Sequence, residues 1–267
     1  MIEGWRGEAL NLAEDSANEI HSDKVAKQFG FRGGLVPGVT ISAYLIHPAV
    51  TTWGLDFLHR GYAHVRVSAP LYDGEPFAVD ILEQSDSSYR AEITQADKIS
   101  ATAEVSLPEL APAAPTRRGD PVGDRSHKPT KATRAAFEQL KSDGCLAFRY
   151  RWREKNNEPY VQDIDAIPGL LRANGDGYAN MNFLLGITNW VLSANAHMNP
   201  WMHLETKSQN YRAVAEGTSL IAEIIIADLT EKKGHEFVDA QINLFDEEDD
   251  TCVCAIELRA IYRLRGA

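Results

Sequence analysis

The chain has 267 residues, of which 44% are hydrophobic, and it carries a formal net charge of -11 at pH 7. This length and apolar content suffice for one large domain or for two domains of about 120 residues each. The acidic balance argues against nucleic acid as a partner, because proteins that bind it depend on positive charge to attract the phosphate backbone.

The cysteines and the N-terminal segment favour a cytoplasmic protein. The three cysteines form no paired framework, and Cys252 and Cys254 would share one face of a predicted strand as small apolar side chains. A zinc site is not expected, since no pair of Cys-x-x-Cys motifs is present. The first 16 residues lack a basic segment followed by an apolar run, and no stretch is long enough to span a membrane.

The first predicted unit is an apolar helix followed by four strands. Val39–Trp53 is apolar on nearly every side, which is typical of a helix surrounded by protein, and Pro48 is expected to kink or divide it. The strands show alternating apolar residues and are separated by short turns. Their sequences are AHVRVSA (Ala63–Ala69), PFAVDILEQ, SYRAEITQA and ISATAEVSL.

The same order of elements recurs after a segment rich in proline and charge, Pro108–Pro129, which is typical of a linker. Tyr178–Ala196 predicts a second apolar helix. The strands predicted after it are LETKSQNY, Ser219–Thr230, HEFVDAQINLF and TCVCAIELRAIYRL. The chain therefore contains one structural unit twice.

A buried helix followed by consecutive antiparallel strands predicts a sheet that curls around the helix, the hotdog arrangement. Two such units can join edge to edge into a continuous sheet, which protects two strand edges from aggregation. We expect an α+β double hotdog, with an N-terminal unit at residues 1–107 and a C-terminal unit at residues 131–267. The linker at residues 108–130 would cross the outer surface of the sheet.

The segment before the first helix carries a specific motif. In DSANEIHSD (residues 15–23), Asn18 and His21 lie three residues apart, and VAKQFGFRGGLVPGV follows with Gly38 where the helix begins. This segment resembles the MaoC-like (R)-specific enoyl-CoA hydratases. In that family the pattern D-x-N-P-x-H precedes a short helix, a glycine-containing loop and the central hotdog helix.

The resemblance implies an acyl-thioester site at the start of the first helix. The backbone N–H groups of Gly38 and Val39 would face the thioester oxygen, where negative charge builds when water adds to an enoyl group. His21 would move the proton between water and carbon, with Asn18 as a second catalytic residue beside it. The substrate would be a thioester of coenzyme A or of acyl carrier protein, with no separate cofactor. The second unit would shape the pocket.

Two positions depart from the family pattern. Counting back from His21, the aspartate position holds Ser16 and the proline position holds Glu19. Serine cannot supply a negative charge or accept a proton at neutral pH, so Ser16 is assigned to substrate contact. Asp15 would take the catalytic role if a one-residue bulge rotated it into the site, and Asp23 is a second candidate.

A basic cluster lies near the motif. Lys24, Lys27 and Arg32 would suit a phosphorylated small molecule, and Arg32 is the member assigned to substrate binding. The alternative is that the three residues form a solvated surface.

Other polar residues have simpler explanations than a metal or a phosphate. His197, His203 and Glu205 lack the H-E-x-x-H spacing of zinc proteases, so loop and strand-start positions account for them. The glycines between residues 30 and 38 belong to turns, because neither G-K-[ST] nor G-x-G-x-x-G is present.

Three functions remain open at this point. The first is hydration of a 2-enoyl thioester or dehydration of a 3-hydroxyacyl thioester, with His21 as acid and base. The second is a thioesterase, which needs a carboxylate; Val39–Trp53 has none, and Asp176 before the second helix would have to supply it. Asn174, Asp176 and Asn180 are otherwise explained as residues that cap this helix. The third is a non-catalytic acyl-binding protein, suggested by Ser16. Each is compatible with a homodimer of such chains.

Overall fold

The computed structural model describes residues 1–124, 126–153, 160–172 and 175–266. Its main feature is a ten-stranded sheet in which all neighbouring strands are antiparallel. The first five strands of this sheet are β1 (Trp5–Glu8), β2 (Tyr62–Val67), β3 (Pro76–Gln84), β4 (Ser88–Gln95) and β5 (Lys98–Ser106).

The second half of the chain supplies the other five strands. They are β7 (Phe148–Arg151), β9 (Met202–Asn210), β10 (Ser219–Lys232), β11 (His235–Asp246) and β12 (Cys252–Arg263). Two further strands, β6 (Thr130–Lys131) and β8 (Ala196–His197), form a separate parallel pair.

In the described ranges of the chain, five α-helices accompany the sheet, and two of them are long. The α-helices are α1 (Asp23–Gln28), α2 (Gly38–Trp53), α3 (Leu55–Arg60), α4 (Arg134–Asp143) and α5 (Met181–Asn195). Short 3-10 turns cover Glu19–His21, Ile164–Ala166 and Gly169–Leu171. None of the helices in the described residues is long and apolar enough to cross a membrane.

The strand order confirms that one unit occurs twice. The sheet runs β1-β3-β4-β5-β2-β9-β12-β11-β10-β7, so each half has the same order from its outer edge to the middle. Strands β2 and β9 join the halves, with Val65 opposite Thr206. The predicted edge-to-edge union of two antiparallel units, and the α+β class, are therefore confirmed.

The core lies between the inner face of the curved sheet and the two long helices. Thirteen of the sixteen residues of α2 are buried, which fits its lack of a polar face. A single apolar cluster contains residues of both α2 and α5 and of the strands around them. The hydroxyl of Thr40 on α2 donates to Oδ1 of Asn182 on α5 at 2.9 Å, so the two helices also meet near their first turns.

Pro48 does not divide α2, which continues unbroken to Trp53. A proline has no N–H to donate, so the carbonyl of Tyr44 loses its usual partner. The indole Nε1 of Trp5 donates to that carbonyl at 2.9 Å, and the hydroxyl of Tyr89 donates to the next one, Leu45, at 2.7 Å. Donors from the surrounding protein thus replace the bond that the proline removes.

The segment between the halves passes over the outer face of β10. Ala222 and Ile224 belong to the core, so the side chain of Glu223 between them points outward. This carboxylate is nevertheless fully buried, because it accepts hydrogen bonds from the backbone N–H groups of Gly119 and Asp120, at 2.7 and 3.0 Å. The buried acid therefore fastens the segment to the sheet.

Strands β1 and β7 and helix α4 were missing from the sequence-based prediction. Each of the two strands has only four residues and pairs at an outer edge of the sheet. Such short segments give too few alternating positions to reveal a strand.

Candidate active site

Two cavities meet beside the N-terminus of α2. Their volumes are about 380 and 420 Å³. Four residues line both of them: Asn18, His21, Asn189 and Trp201. The first two come from the N-terminal half and the other two from the C-terminal half, so the meeting point lies between the two units.

The cavities differ in their linings. The first is mostly apolar, and its large side chains include Ile20, Phe29, Phe31, Leu35, Met202, Leu204, Ile261 and Leu264. Polar side chains line both cavities: Ser68, His235 and Arg265 in the first, and Ser16, Thr40, Asn182 and Ser193 in the second. The large aliphatic side chains are concentrated in the first cavity, which makes it the candidate for a hydrocarbon chain.

Asn18 is held in one orientation by the backbone of Trp201. The Trp201 N–H donates to Oδ1 of Asn18 at 3.1 Å, and Nδ2 of Asn18 donates to the Trp201 carbonyl at 3.0 Å. These two bonds identify the oxygen and the nitrogen of the amide. The second N–H of Nδ2 then faces Nε2 of His21 at 3.2 Å.

The same contacts determine the tautomer of His21. Its Nδ1 lies 2.7 Å from the carbonyl oxygen of Leu35, which can only accept, so Nδ1 carries the proton. Its Nε2 accepts from Asn18 and therefore presents a lone pair. Burial lowers the pKa of His21 below its ordinary value of 6.5, although the Leu35 carbonyl opposes this shift. At neutral pH His21 is an uncharged base at the meeting point of the cavities.

The first turn of α2 supplies the other polar groups. The helical hydrogen bonds begin with Thr40 and Ile41, which both donate to Pro37, so the N–H groups of Gly38 and Val39 precede them. Pro37 provides no side-chain cap. Gly38 lines the first cavity and Val39 lines the second, which places the start of the helix at their junction.

The carboxylates considered from the sequence lie elsewhere. Asp15 is exposed and lines neither cavity. Asp23 accepts from the Gly34 N–H at 2.9 Å and forms an ion pair with Lys27 at 2.6 Å. Its carboxylate is therefore already paired within the protein. Ser16 lines the second cavity, and its hydroxyl donates to the Asn18 carbonyl at 3.3 Å.

The basic cluster is also outside the cavities. Arg32 is exposed, pairs with Glu75 at 2.9 Å and lies over the ring of Tyr72. Lys24 is exposed, and Lys27 pairs with Asp23 as described. Among the described residues, no aspartate or glutamate lines either cavity. Arg265 is the one described lining residue with a permanent charge, and His21 is the base that both linings share.

The C-terminal half contributes residues that sequence reasoning missed. Asn189 and Trp201 were not singled out, because one lies in the middle of an apolar helix and the other acts through its backbone. His203 is fully buried against the start of α2 and bonds to Asn189 Oδ1 at 3.0 Å and to the hydroxyl of Thr206. Only the folded structure brings these residues to His21.

The remaining polar residues have separate partners. Glu205 binds His64 at 2.5 Å and Arg66 at 3.2 Å on the sheet, away from His203, while His197 is exposed. In the described part of the chain, no cluster of metal-ligating side chains is found.

The residues before the second helix behave differently from one another. Asn180 caps α5, because its Oδ1 accepts from the Phe183 N–H at 2.9 Å, as expected from the sequence. Asp176 is exposed and lines neither cavity. Asn174 lies outside the described residues.

Known structures share this architecture at low sequence identity. A Mycobacterium tuberculosis protein, described as having a double hotdog fold and being essential for bacterial survival during infection, is 11% identical, with a TM-score of 0.55. The superposition covers 98% of this chain and 96% of that one. A Chloroflexus aurantiacus protein assigned as a MaoC domain dehydratase gives the same four values. The tesB protein of Mycobacterium avium subs paratuberculosis is 12% identical, with a TM-score of 0.53, over 98% and 93% of the chains.

No family sequence model matches the chain, and no curated protein sequence does. Likeness at such low identity establishes the architecture alone. The chain is a double hotdog protein.

Proposed function

We propose that this protein adds water to 2-enoyl thioesters or removes it from 3-hydroxyacyl thioesters, with His21 as the single acid and base. The observation that carries the proposal is the lone pair on Nε2 of His21. That lone pair accepts from Nδ2 of Asn18 at the junction of the two cavities, beside the first N–H groups of α2, so it becomes available to a substrate when Asn18 turns away. The apolar lining of the first cavity suits the acyl chain.

The thioester oxygen would lie against the N–H groups of Gly38 and Val39. In hydration, the water oxygen bonds to C3 of the enoyl group, and the electrons of the double bond move toward the thioester oxygen. Donors fixed at the end of a helix stabilise that charge more than they stabilise the neutral substrate. Burial of Gly38 and Val39 strengthens this interaction.

His21 would complete the proton balance alone. Its Nε2 takes one proton from the attacking water and then gives it to C2, so the hydroxyl and the hydrogen both come from that water. Dehydration runs the same steps backward. Asn18 would turn its N–H away from Nε2 before the water gives up its proton, because an imidazole nitrogen has a single lone pair and cannot accept from both.

The test is the loss of the conjugated enoyl absorbance of crotonyl-CoA, with free thiol assayed in parallel. We expect wild type to consume the band without releasing thiol, and His21→Ala to lower the rate by about 100-fold or more. His197→Ala is the matched control, since His197 is exposed and lines neither cavity. Asp15→Asn should keep the wild-type rate, because Asp15 points into solvent.

Equal rates in wild type and His21→Ala would contradict the proposal. Release of thiol would show hydrolysis instead, for which the candidate Asp176 is badly placed because it is exposed and outside both linings.

A second candidate function is acyl-thioester binding without a reaction. Two observations favour it: no carboxylate among the described residues lines the cavities, and Asn18 already donates to Nε2 of His21. In that case calorimetry would show binding of butyryl-CoA, while crotonyl-CoA would stay unchanged.

A further inference from the structure

One polar residue at the junction of the cavities has no role in the mechanism described so far. Asn189, on the second long helix, lines both cavities together with Asn18, His21 and Trp201. It is half-buried in a helix whose surrounding residues are largely buried and apolar. A polar side chain kept in such a place calls for a partner.

Asn18 and His21, two of the other shared residues, already use their side-chain polar groups in bonds within the protein. The Asn18 side-chain amide is hydrogen-bonded to the Trp201 backbone and to Nε2 of His21. His21 presents its lone pair, which makes it an acceptor. Asn189 and the indole Nε1 of Trp201 are therefore the shared groups with a donor left for a ligand, and of the two Asn189 is the one whose side chain is held by a buried partner.

A buried relay fixes the orientation of Asn189. His203 bonds to Asn189 Oδ1 through Nδ1, at 3.0 Å, and to the Thr206 hydroxyl through Nε2. Complete burial lowers the pKa of His203 to about 3, so this ring remains neutral and takes no part in proton transfer at physiological pH. With Oδ1 turned to His203, the Nδ2 group of Asn189 is turned to the cavities.

The Nδ2 group is also accessible. Within the described residues, Nε of Arg117 is the one completely buried side-chain nitrogen or oxygen that lacks a hydrogen bond. Nδ2 of Asn189 has no protein acceptor among the described residues, yet it is not completely buried. A ligand in the cavities can therefore reach it.

We propose that Asn189 donates a hydrogen bond from Nδ2 to the oxygen on C3 of a 3-hydroxyacyl thioester, and that His203 is its positioning residue. This inference rests on the proposed function. The thioester oxygen is served by Gly38 and Val39, and His21 handles the proton, so the C3 oxygen is the remaining polar atom. In dehydration this oxygen gains negative charge as its bond to C3 breaks, before His21 returns the proton from C2 and water leaves.

The experiment compares two ligands that differ in that oxygen. Binding of (R)-3-hydroxybutyryl-CoA and of butyryl-CoA is measured by calorimetry with wild type and with Asn189→Ala. We expect the substitution to lower the affinity for (R)-3-hydroxybutyryl-CoA by about 3- to 10-fold, the usual effect of one neutral hydrogen bond. The affinity for butyryl-CoA should stay unchanged. Asn243→Ala is the control, because Asn243 lies on β11 and lines neither cavity.

Asn189→Asp tests which atom is used. Aspartate keeps an acceptor but has no N–H, so we expect it to lose the preference for the hydroxylated ligand as well. Retention of the preference would show that an oxygen of residue 189 accepts from the ligand, which would overturn the donor role. Equal weakening of both ligands, or no change in either, would overturn the contact itself.

The positioning role of His203 is tested through Thr206. Thr206→Val removes the hydroxyl that holds the ring, and we expect a smaller loss of the same preference, about 2- to 3-fold, which Thr206→Ser restores. The relay would be overturned if Thr206→Val kept the full preference for the hydroxylated ligand. It would also be overturned if Thr206→Ser failed to restore a preference that Thr206→Val had lost.

The outcomes separate this inference from the proposed function. A preference that depends on Asn189, in a protein that leaves crotonyl-CoA unchanged, would keep the contact and reject the catalysis. If wild type hydrates crotonyl-CoA but shows no such preference, the proposed Asn189 contact is rejected and the proposed catalysis is kept. Failure of wild type to bind either thioester would overturn both.

Discussion

The two long helices of this protein hold equivalent places in two equivalent units, yet their N-termini differ in chemistry. Helix α2 starts after Pro37, which offers no side-chain cap, and its first N–H groups border two cavities. Helix α5 starts after Asn180, whose side chain accepts from the Phe183 N–H at 2.9 Å. The start of α2 can therefore bind a ligand through its N–H groups, whereas the start of α5 is capped by the side chain of Asn180.

The segments that lead into the helices differ in the same direction. Before α2, the turn Glu19–His21 places a neutral imidazole at the junction of the cavities. Before α5, the corresponding part of the chain forms the turn Ile164–Ala166, where Asp165 pairs with Arg172. Under the proposed function, one unit of the duplicated fold carries the chemistry, while the second supplies walls and positioning groups such as Asn189.

The largest predicted effect concerns two buried histidines, His47 and His203, one in each unit. Burial lowers the pKa of His47, on α2, to about 4 and that of His203, on β9, to about 3, against an ordinary value of 6.5. The unfolded chain therefore binds protons before the folded one does. Stability is fully present above about pH 6.5 and falls with pH, by about 2 kcal/mol for each histidine between about pH 7 and about pH 5.

Urea unfolding at those two pH values measures this loss. The His47→Asn variant should lose less stability on acidification than wild type, whereas the exposed His197→Asn control should match wild type. Equal losses in all three proteins would mean that the folded chain accommodates a charged His47.

The fold was readable from the sequence because its signals are long and regular. Both long helices are apolar on most sides, and strands such as Ser88–Gln95 alternate over eight residues. The union of the halves through β2 and β9 followed from the need to protect strand edges. The short edge strands were missed because four residues carry little periodicity.

A smaller effect is expected from adding one methyl group at a glycine in each long helix. At Gly38 the added carbon would lie 3.0 Å from both Cβ and the carbonyl oxygen of His203, and one of those contacts is with backbone. We expect Gly38→Ala to lower the free energy of unfolding by about 1–3 kcal/mol, the usual cost of overpacking. At Gly186 on α5 the nearest atom, on the Trp190 ring, is 3.4 Å away, an ordinary contact.

Gly186→Ala should therefore keep or slightly raise stability, since alanine favours a helix by about 0.5–1 kcal/mol over glycine. Thermal unfolding of both variants gives the difference. A Gly38→Ala protein as stable as wild type would show that the start of α2 can move away from His203.

The site was only half readable from the sequence. The motif gave Asn18, His21 and Gly38, because those residues lie within about one helix and one loop of each other in the chain. Asn189 and His203 reach the same place through the pairing of β2 with β9, and no local pattern reports such a contact. The orientation of Asn18 also depends on the backbone of Trp201, 183 positions away.

The smallest predicted effect tests the closed helix start. Asn180→Ala removes the cap of α5 and should lower the free energy of unfolding by about 1 kcal/mol, measured in urea. Thr133→Ala, which removes the cap of α4, is the matched control for the loss of a capping side chain. Because Asn180 lines neither cavity, the rate of crotonyl-CoA hydration per folded molecule should stay at the wild-type value. A lower rate in Asn180→Ala, but not in Thr133→Ala, would mean that the start of α5 also shapes the site, and that the two units share the chemistry more evenly than their helix starts indicate.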